Sequence, residues 1–549
     1  MTPAAGPMSA RERGLAGALL LAFVILAVGS LERMTLTYDE PRHYRYGWKL
    51  VNFDASRDGE YSKMPFSMLN ALPRKLAAGL DPGPLQRRLR SIEFGRYATV
   101  VGAALLGWLV FRWARALYGT AGGLLALTLY VLDPNILAHA GLVTNDLYAA
   151  WMMALAVWAF WRVLGHEGPG FWRVATGGAA VFGLAQVAKH TCAYLVPILA
   201  LIAMGHAAPG LWALVREGRW RAISARGLAA GRLAALYLAA FLLVANVGYW
   251  GHETLKPLRD YEFQSRHFRA VQATLGPLAG LRVPVPAPFV ESLDRVFADE
   301  RAGANPYLLG QVGKDGVPGR RFPEYFAVAW LYKEPIATQV ILLLALAAYV
   351  IRFRRFDFRR NEWFLVCPVL FFAWYFTFVY NFQIGLRHAL VVYPFLFVLA
   401  GSLLRDPGEV PRGARLALAG LLAWLAVSVG SYYPHMLAYF NEFVWDRKQA
   451  YRILADSNLD WGQSRRYVTR YLRDHPDVHF TPDGPRPGTI LLSTNHYAGM
   501  LRSEQFRWLR ENFEPVGHVA YTHLLFRVTP EALRRVTDPI PPDHADKGQ

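Results

Sequence analysis

The chain has 549 residues, of which 54% are hydrophobic and only 18% are charged. Apolar runs of about 18 residues or more, the length that spans a bilayer core, recur along it and exclude an ordinary soluble globular protein. The net charge of +18 would suit a nucleic-acid-binding protein, but much of the excess lies in short connections between apolar runs. Such a distribution is typical of membrane proteins, so the sequence predicts an all-α polytopic membrane protein.

Eleven segments are predicted to cross the membrane. In chain order they are residues 14–31, 96–114, 121–138, 145–163, 173–189, 191–206, 230–250, 335–351, 363–381, 388–404 and 414–431. Every second connection is rich in arginine, beginning with the "RERG" stretch before the first segment. Because positively charged loops stay in the cytoplasm, this alternation predicts a multi-pass protein of the cytoplasmic membrane, with the N-terminus inside and the C-terminal tail outside.

The same topology divides the chain into two domains. Residues 1–431 are predicted to form a transmembrane domain, with outer loops at 32–95 and 251–334, and residues 432–549 an extracytoplasmic domain. Two amphipathic stretches in the first outer loop, around 40–53 and 63–79, predict helices that lie on the membrane surface. In the tail, "GTILLST" and "HLLFRV" predict strands and "SRRYVTRYLRDH" a helix, so we expect a small soluble α/β domain there.

Acidic residues directly follow the first apolar run, in "TYDEPRHYRYGW". On a helix that starts near Asp39, His43 shares its face at i+4, whereas Glu40 points elsewhere. A partly desolvated carboxylate at the membrane edge is a candidate base for an acceptor hydroxyl, although Asp39 before Pro41 also suits the start of a helix. Asp146, in "ILAHAGLVTNDLYAAW", is a second acid on the same outer side, and a helix cap is its alternative role.

Basic residues are predicted at or near the same outer face. They are Lys63 in "SKMPF", Lys189 and His190 in "VAKHT", and Arg387 and His388 in "IGLRHALVVYPF". Such a set suits a phosphate, because arginine offers a two-pronged fork and lysine a point charge. Any one of them alone also fits a side chain that reaches toward lipid headgroups. The sequence contains no nucleotide-binding loop, zinc-ligand spacing or serine-nucleophile elbow.

Several motifs occur in a fixed order along nearly the whole chain. They are "YDEPRHY", "KMPF", "AHAGLVTNDLYA", "YLLG", "FPEYFAVAWLYKEP", "LRHALVVYPFLFVLAG", "YPHMLAYFNEF" and "DSNLDWGQ". This ordered set resembles the protein O-mannosyltransferase superfamily of GT-C type membrane glycosyltransferases, family 39, and more closely its bacterial branch related to aminoarabinose transferases. In "KMPF", Met64 stands where that family often has a second proline.

The resemblance implies an enzyme that moves a hexose-type sugar from a polyprenyl-phosphate carrier to an acceptor hydroxyl on the outer membrane face, in a single inverting displacement. Asp39 resembles the catalytic base, with Glu40 beside it. Asp146 matches the acidic position that orients the acceptor or a cation, and Arg387 matches the position that meets the carrier phosphate. Further candidates at or beside the phosphate are Lys63, Lys189, His388, His43 and His190.

Other interpretations stay open from the sequence. A lipid or sugar transporter or flippase without transferase activity is one, and an assembly subunit with a degenerate site is another. The candidate charges gather at one face and both acids are present, which favours the transferase. Protein, lipid A, other glycolipids and cell-wall glycan are all candidate acceptors, and nucleic acid is not expected as a partner. A divalent cation held by Asp39, Glu40 and Asp146 is an open candidate cofactor.

Overall fold

The computed structural model describes residue 6, residues 8–57 and residues 59–537, and helices dominate this part of the chain. The first helix, α1 (Ala10–Leu31), begins at Ser9. Ser9 Oγ accepts a hydrogen bond from Glu12 N at 3.2 Å, and Glu12 Oε2 accepts one from Ser9 N at 2.8 Å. This reciprocal capping box satisfies two backbone donors that a helix start leaves open.

The loop of residues 32–95 contains three short helices, α2 (Glu40–Val51), α3 (Ser67–Leu76) and α4 (Pro84–Leu89). The helices predicted around 40–53 and 63–79 are therefore confirmed as α2 and α3. These two pack closely, because a Cβ on Gly47 would lie only 2.1 Å from Ser67 O. A glycine at this position lets α2 approach the start of α3, and the contact fixes the segment that begins at Asp39.

The transmembrane part comprises long and short helices on both sides of the loop of residues 251–334. They are α5 (Ile92–Val131), α6 (Pro134–Ala140), α7 (Asp146–Leu164), α8 (Phe171–Gln186), α9 (Leu195–Arg216) and α10 (Trp220–Gly248). The later helices are α13 (Tyr325–Lys333), α14 (Ile336–Ile351), α15 (Trp363–Phe378), α16 (Tyr393–Ala400) and α17 (Arg412–Gly430). The main hydrophobic core lies among α1, α5, α7 and α16.

Seven helices of the described residues are long and apolar enough to cross a membrane, or eight if the pair α13–α14, bent by 110°, is one span. In that count α5 is a single helix, although Gly119 (φ 78°) interrupts it between the predicted spans 96–114 and 121–138. Helices α8 and α15 stand at two further predicted spans but have only 16 residues each. The polytopic helical class is confirmed, with a helix at each predicted span.

The loop of residues 251–334 contains α11 (Arg266–Thr274), α12 (Ala287–Ala302) and a small hairpin of β1 (Tyr307–Leu308) and β2 (Gln311–Val312). Its turn residues Leu309 and Gly310 have φ values of 49° and 82°. Positive φ at both central residues is the geometry of the tight turns that match the twist of paired strands.

The C-terminal tail forms the predicted small α/β unit. Helix α18 (Arg465–Asp474) precedes β3 (His479–Phe480), β4 (Gly488–Ser493), α19 (Thr494–Tyr497), α20 (Arg507–Asn512), β5 (Gly517–Val519), β6 (His523–Val528) and α21 (Pro530–Thr537). The strand order is β3-β4-β6-β5, with β3 parallel to β4 and the other pairs antiparallel. Strands β4 and β6 coincide with the predicted "GTILLST" and "HLLFRV" runs, and α18 with the predicted helix.

Candidate functional site

Asp39 lies immediately before α2 and does not use its side chain to cap that helix. Instead, Asp39 Oδ2 accepts a hydrogen bond from Arg387 Nη1 at 3.2 Å. The Asp39 side chain is 28% exposed, so a ligand can reach it. The carboxylate is therefore held by a cation on one side and is accessible on another.

Asp146 is the first residue of α7, and its carboxylate meets two cations. Asp146 Oδ1 lies 2.5 Å from Lys189 Nζ, and Oδ2 lies 3.7 Å from Arg387 Nη1. Its side chain is only 5% exposed. The start of a helix also favours negative charge, because the backbone N–H groups point toward it. Lys189, Arg387 and the helix start together balance the buried carboxylate of Asp146.

Arg387 joins the two acids through a single nitrogen, Nη1. Its guanidinium lies 4.0 Å from the ring centre of Trp461, a cation–π contact that orients the side chain. Arg387 Nε is buried and has no hydrogen-bond partner among the described residues. A guanidinium carries five N–H donors, so Arg387 retains donors for an incoming anion.

Lys63 and His43 lie beside this group of charges. Lys63 Nζ donates to Ser62 Oγ at 2.8 Å, and burial lowers the pKa of Lys63 although the charge of Asp39 acts against that shift. Burial lowers the pKa of His43 to about 3. The imidazole of His43 is therefore neutral at physiological pH, and it lines the site without adding a charge.

The two other predicted histidines differ from each other. His388 follows Arg387 in the chain, and its Nδ1 lies 2.8 Å from Tyr380 OH. His388 Nε2 is buried without a hydrogen-bond partner in the described part of the chain. The ring of His190 lies against Phe289, with ring centres 5.8 Å apart. The ring of His190 thus packs against an aromatic side chain and not against the acids.

Glu40 faces away from this group and is completely buried. Its carboxylate accepts two hydrogen bonds from Arg96, from Nη2 to Oε1 at 2.6 Å and from Nε to Oε2 at 2.8 Å. The backbone N–H groups of Thr37 and Val143 also donate to it, at 2.8 and 3.0 Å. Glu40 thus ties the segment before α2 to α5 and to the loop before α7.

Asp39, Glu40 and Asp146 were considered from the sequence as ligands of a divalent cation, and their contacts in the structure bear on that possibility. No group of three or more His, Cys, Asp or Glu residues suited to a metal ion occurs among the described residues. The carboxylate of Glu40 is occupied by Arg96, whereas Asp39 and Asp146 meet Arg387. The three carboxylates do not form a common ligand set in this arrangement, because each already faces an arginine.

The "DSNLDWGQ" segment of the tail completes the site, although no role for its individual residues was predicted from the sequence. Tyr38 N donates to Trp461 O at 3.2 Å, and Thr35 N donates to Gln463 O at 2.9 Å. Thr35 Oγ1 also donates to Gly462 O at 2.9 Å. The tail thereby pairs with the residues just before Asp39 and places Trp461 against Arg387.

Two more residues of this region were not found from the sequence. Asp456 has a positive φ of 55°. Burial raises its pKa to about 6, against the opposing charge of Arg387. Lys333, at the end of α13, is buried and donates to Leu437 O at 2.8 Å and Asn458 O at 2.6 Å. Asp456 lies in "DSNLDWGQ" and Lys333 in "LYKEP", and these motifs could have drawn attention to the two residues. Neither motif indicates which residues the side chains contact.

No family model matches the chain, and no curated protein matches it either. Three solved structures are similar over nearly all of its length. ArnT from Cupriavidus metallidurans in the apo state shares 13% identity, with a TM-score of 0.30 over 95% of this chain and 99% of that one. The same protein bound to undecaprenyl phosphate shares 14% identity, with a TM-score of 0.29 over 96% and 99%.

The archaeal oligosaccharyltransferase AglB from Archaeoglobus fulgidus, in complex with an inhibitory peptide and a dolichol-phosphate, shares 13% identity. Its TM-score is 0.43, over 97% of this chain and 76% of that one. All three TM-scores lie below 0.5, so these likenesses do not assign an activity to the chain. The contacts among Asp39, Asp146, Arg387 and Lys189 carry the functional argument instead.

Proposed function

We propose that the protein is a GT-C type membrane glycosyltransferase that moves a hexose-type sugar from a polyprenyl-phosphate carrier to an acceptor hydroxyl. The observation that supports this most directly is the position of Arg387 between Asp39 and Asp146, at 3.2 and 3.7 Å. One guanidinium beside two carboxylates provides a phosphate-binding group and a proton acceptor within a single small site.

The donor phosphate is expected at Arg387 and Lys189. Arginine and lysine both bind phosphate, and the partnerless Nε of Arg387 offers a further donor. Lys63, whose Nζ lies 3.8 Å from Glu60 Oε2, adds a third cation close enough to Asp39 for their charges to interact. When a phosphate binds, it competes with the carboxylates for these cations. Binding of the donor therefore loosens the Asp39–Arg387 contact and frees the carboxylate for the acceptor.

The proposed reaction is a single displacement at the anomeric carbon. Asp39 takes the proton of the acceptor hydroxyl as its oxygen forms a bond to that carbon. The bond from the anomeric carbon to the phosphate oxygen breaks, and the polyprenyl phosphate leaves with the electron pair. Arg387 and Lys189 stabilise the charge that develops on the leaving phosphate. Attack opposite to the leaving group inverts the anomeric centre, so no covalent sugar–enzyme intermediate is needed.

The proposed orientation places the N-terminus in the cytoplasm and residues 432–549 outside. Cysteine labelling of intact cells tests it, and the two native cysteines are both buried. Arg355 and Glu504 are exposed, with side-chain exposures of 51% and 82%. We expect labelling by a membrane-impermeant reagent at Glu504→Cys and protection at Arg355→Cys. The reverse pattern would invert the topology.

A transporter or flippase is the second candidate, because α13 and α14 meet at a bend of 110°. Broken helices are common at transporter binding sites. Reconstituted vesicles distinguish the two functions when they are supplied with a radiolabelled polyprenyl-phosphate sugar and acceptors extracted from the host envelope. Sugar that becomes linked to acceptor supports the transferase, whereas movement of intact donor without transfer supports the transporter.

The acceptor can be sought among the envelope components of the host. Mass spectrometry of glycoproteins and glycolipids from a deletion strain and its parent compares all acceptor classes at once. We expect a sugar modification that disappears in the deletion strain and returns with the parental gene, but not with Asp39→Asn. Identical glycan profiles in all strains would contradict the proposed function.

A further inference from the structure

A cavity of about 750 Å³ lies far from the candidate site, between the middle of α5 just before its break at Gly119, the end of α7 and the segment before α15. Its lining includes Arg162, in the last turn of α7, whereas Asp146 is the first residue of the same helix. At 1.5 Å per residue, these two positions are about 24 Å apart along the helix axis. The cavity therefore lies near the opposite membrane face from Asp39 and Arg387.

Positive charge exceeds negative charge in this cavity. Its charged lining residues are Arg112, Arg115, Arg162, Arg360, Glu167 and Asp357. Asp357 is paired with Arg360 at 3.7 Å. In contrast, Arg112 and Arg162 have no ion pair among the described residues, and their guanidinium groups lie over the rings of Trp108 and Trp158 at 5.8 and 5.2 Å. These two cations are available to a ligand.

The rest of the lining is largely apolar and aromatic. Trp158, Trp161, Leu164 and Phe364 contribute to it. Trp161 Nε1 donates to Arg360 O at 2.9 Å, so the ring of Trp161 is fixed between α7 and the segment before α15. Tryptophan is enriched at membrane interfaces because its ring is apolar and its N–H is polar. A ligand that fills this cavity must combine an anionic group with an apolar portion.

We infer that the cavity binds the phosphate headgroup of an anionic membrane phospholipid. Its volume lies in the range of small-molecule sites and accommodates a phosphate, a glycerol unit and the start of the acyl chains. The guanidinium groups of Arg112 and Arg162 face the phosphate, and the tryptophans contact the glycerol and acyl region. This lipid site is separate from the proposed transfer reaction and does not depend on it.

Native mass spectrometry of the full-length protein tests this inference. The protein is purified in detergent and exposed to phosphatidylglycerol or to phosphatidylcholine, with inorganic phosphate as a competitor. The test variant is Arg112→Gln combined with Arg162→Gln. The matched control is Arg216→Gln combined with Arg221→Gln, because both control arginines are exposed and lie outside the cavity. Thermal melting confirms that each variant is folded, and Arg162→Lys serves as a milder substitution.

We expect one retained phosphatidylglycerol per parent molecule and weaker retention of phosphatidylcholine. The test variant should lose about tenfold or more in phosphatidylglycerol affinity, the control should stay within about twofold, and Arg162→Lys should fall between them. Equal losses in the test and control variants would overturn the inference, since they would reflect general surface charge. Displacement of the lipid by an equal concentration of inorganic phosphate, or equal retention of both lipids, would overturn it as well.

Discussion

Glu40→Gln is the substitution that most sharply separates structural from chemical roles among the adjacent acids. Glu40 is fully buried and Arg96 is 1% exposed. The carboxylate receives two hydrogen bonds from Arg96, at 2.6 and 2.8 Å, and others from the backbone of Thr37 and Val143. A glutamine keeps the size of the side chain but replaces one acceptor oxygen by an NH₂ donor and removes the negative charge. The guanidinium of Arg96 then stays buried without its counter-charge.

The magnitude follows from this geometry. Removing one partner of a buried ion pair destabilises a protein by about 3–5 kcal/mol. Arg96 also donates to the carbonyls of Leu31, Met34 and Thr35 at 2.8–3.1 Å, and these bonds survive the substitution. We therefore expect Glu40→Gln to lower the free energy of unfolding by about 3 kcal/mol, at the lower end of that range. Turnover per folded molecule should fall much less than in Asp39→Asn.

Asp39→Asn is the matched control, because the residue is adjacent in sequence and the change is chemically equivalent. The Asp39 side chain is 28% exposed and, within the part of the chain that the structure describes, makes one hydrogen bond, at 3.2 Å. We expect Asp39→Asn to change the free energy of unfolding by less than about 1 kcal/mol. If Asp39 is the base, turnover should fall by roughly two to four orders of magnitude while donor binding persists.

The assay pairs thermal melting in one detergent with sugar transfer normalised to folded protein. A double variant, Glu40→Gln with Arg96→Gln, adds a thermodynamic cycle, and its destabilisation should be smaller than the sum of the two single losses. Parental stability of Glu40→Gln, together with a turnover loss as large as that of Asp39→Asn, would refute this division of roles. Parental turnover of folded Asp39→Asn would refute the proposed base.

Three further predictions concern the surrounding residues. Arg387→Ala should lower kcat/KM for the donor by roughly 10- to 100-fold. Arg387→Lys should lower it less, because lysine keeps the positive charge. Equal donor kinetics of the Ala variant and the parent would show that Arg387 does not bind the donor. Lys333→Met should lower the melting temperature, because it leaves the carbonyls of Leu437 and Asn458 without a donor. Each lost hydrogen bond costs about 1–3 kcal/mol of stability, and an unchanged melting temperature would contradict this prediction. Because burial raises the pKa of Asp456 to about 6, the folded state binds this proton more tightly than the unfolded state does. The free energy of unfolding of the parent relative to Asp456→Asn should therefore fall as pH rises from about 4 through 6. Chemical denaturation of both proteins at pH 4 and pH 7 measures this change. The same difference in stability at both pH values would contradict the prediction.

Local patterns in the sequence were sufficient to predict the helical membrane class and the small α/β tail. Apolar runs and alternating patterns are local properties, so they predicted α2, α3, α18, β4 and β6 at nearly their observed positions. The chemistry-bearing residue types were equally visible. Asp39 and Asp146 stood at helix starts, and Arg387 and Lys189 stood near the same predicted face, so their convergence could be expected from topology.

The contact partner of each charged side chain became visible only in the tertiary structure. Glu40 and Asp39 are neighbours in the chain, yet Glu40 meets Arg96 inside the protein and Asp39 meets Arg387 at an accessible surface. The contact of Trp461 with Arg387 depends on a tail segment that folds back onto the residues just before Asp39. Burial and long-range pairing depend on how segments far apart in sequence pack together, and no local pattern encodes the partner that each charge will face.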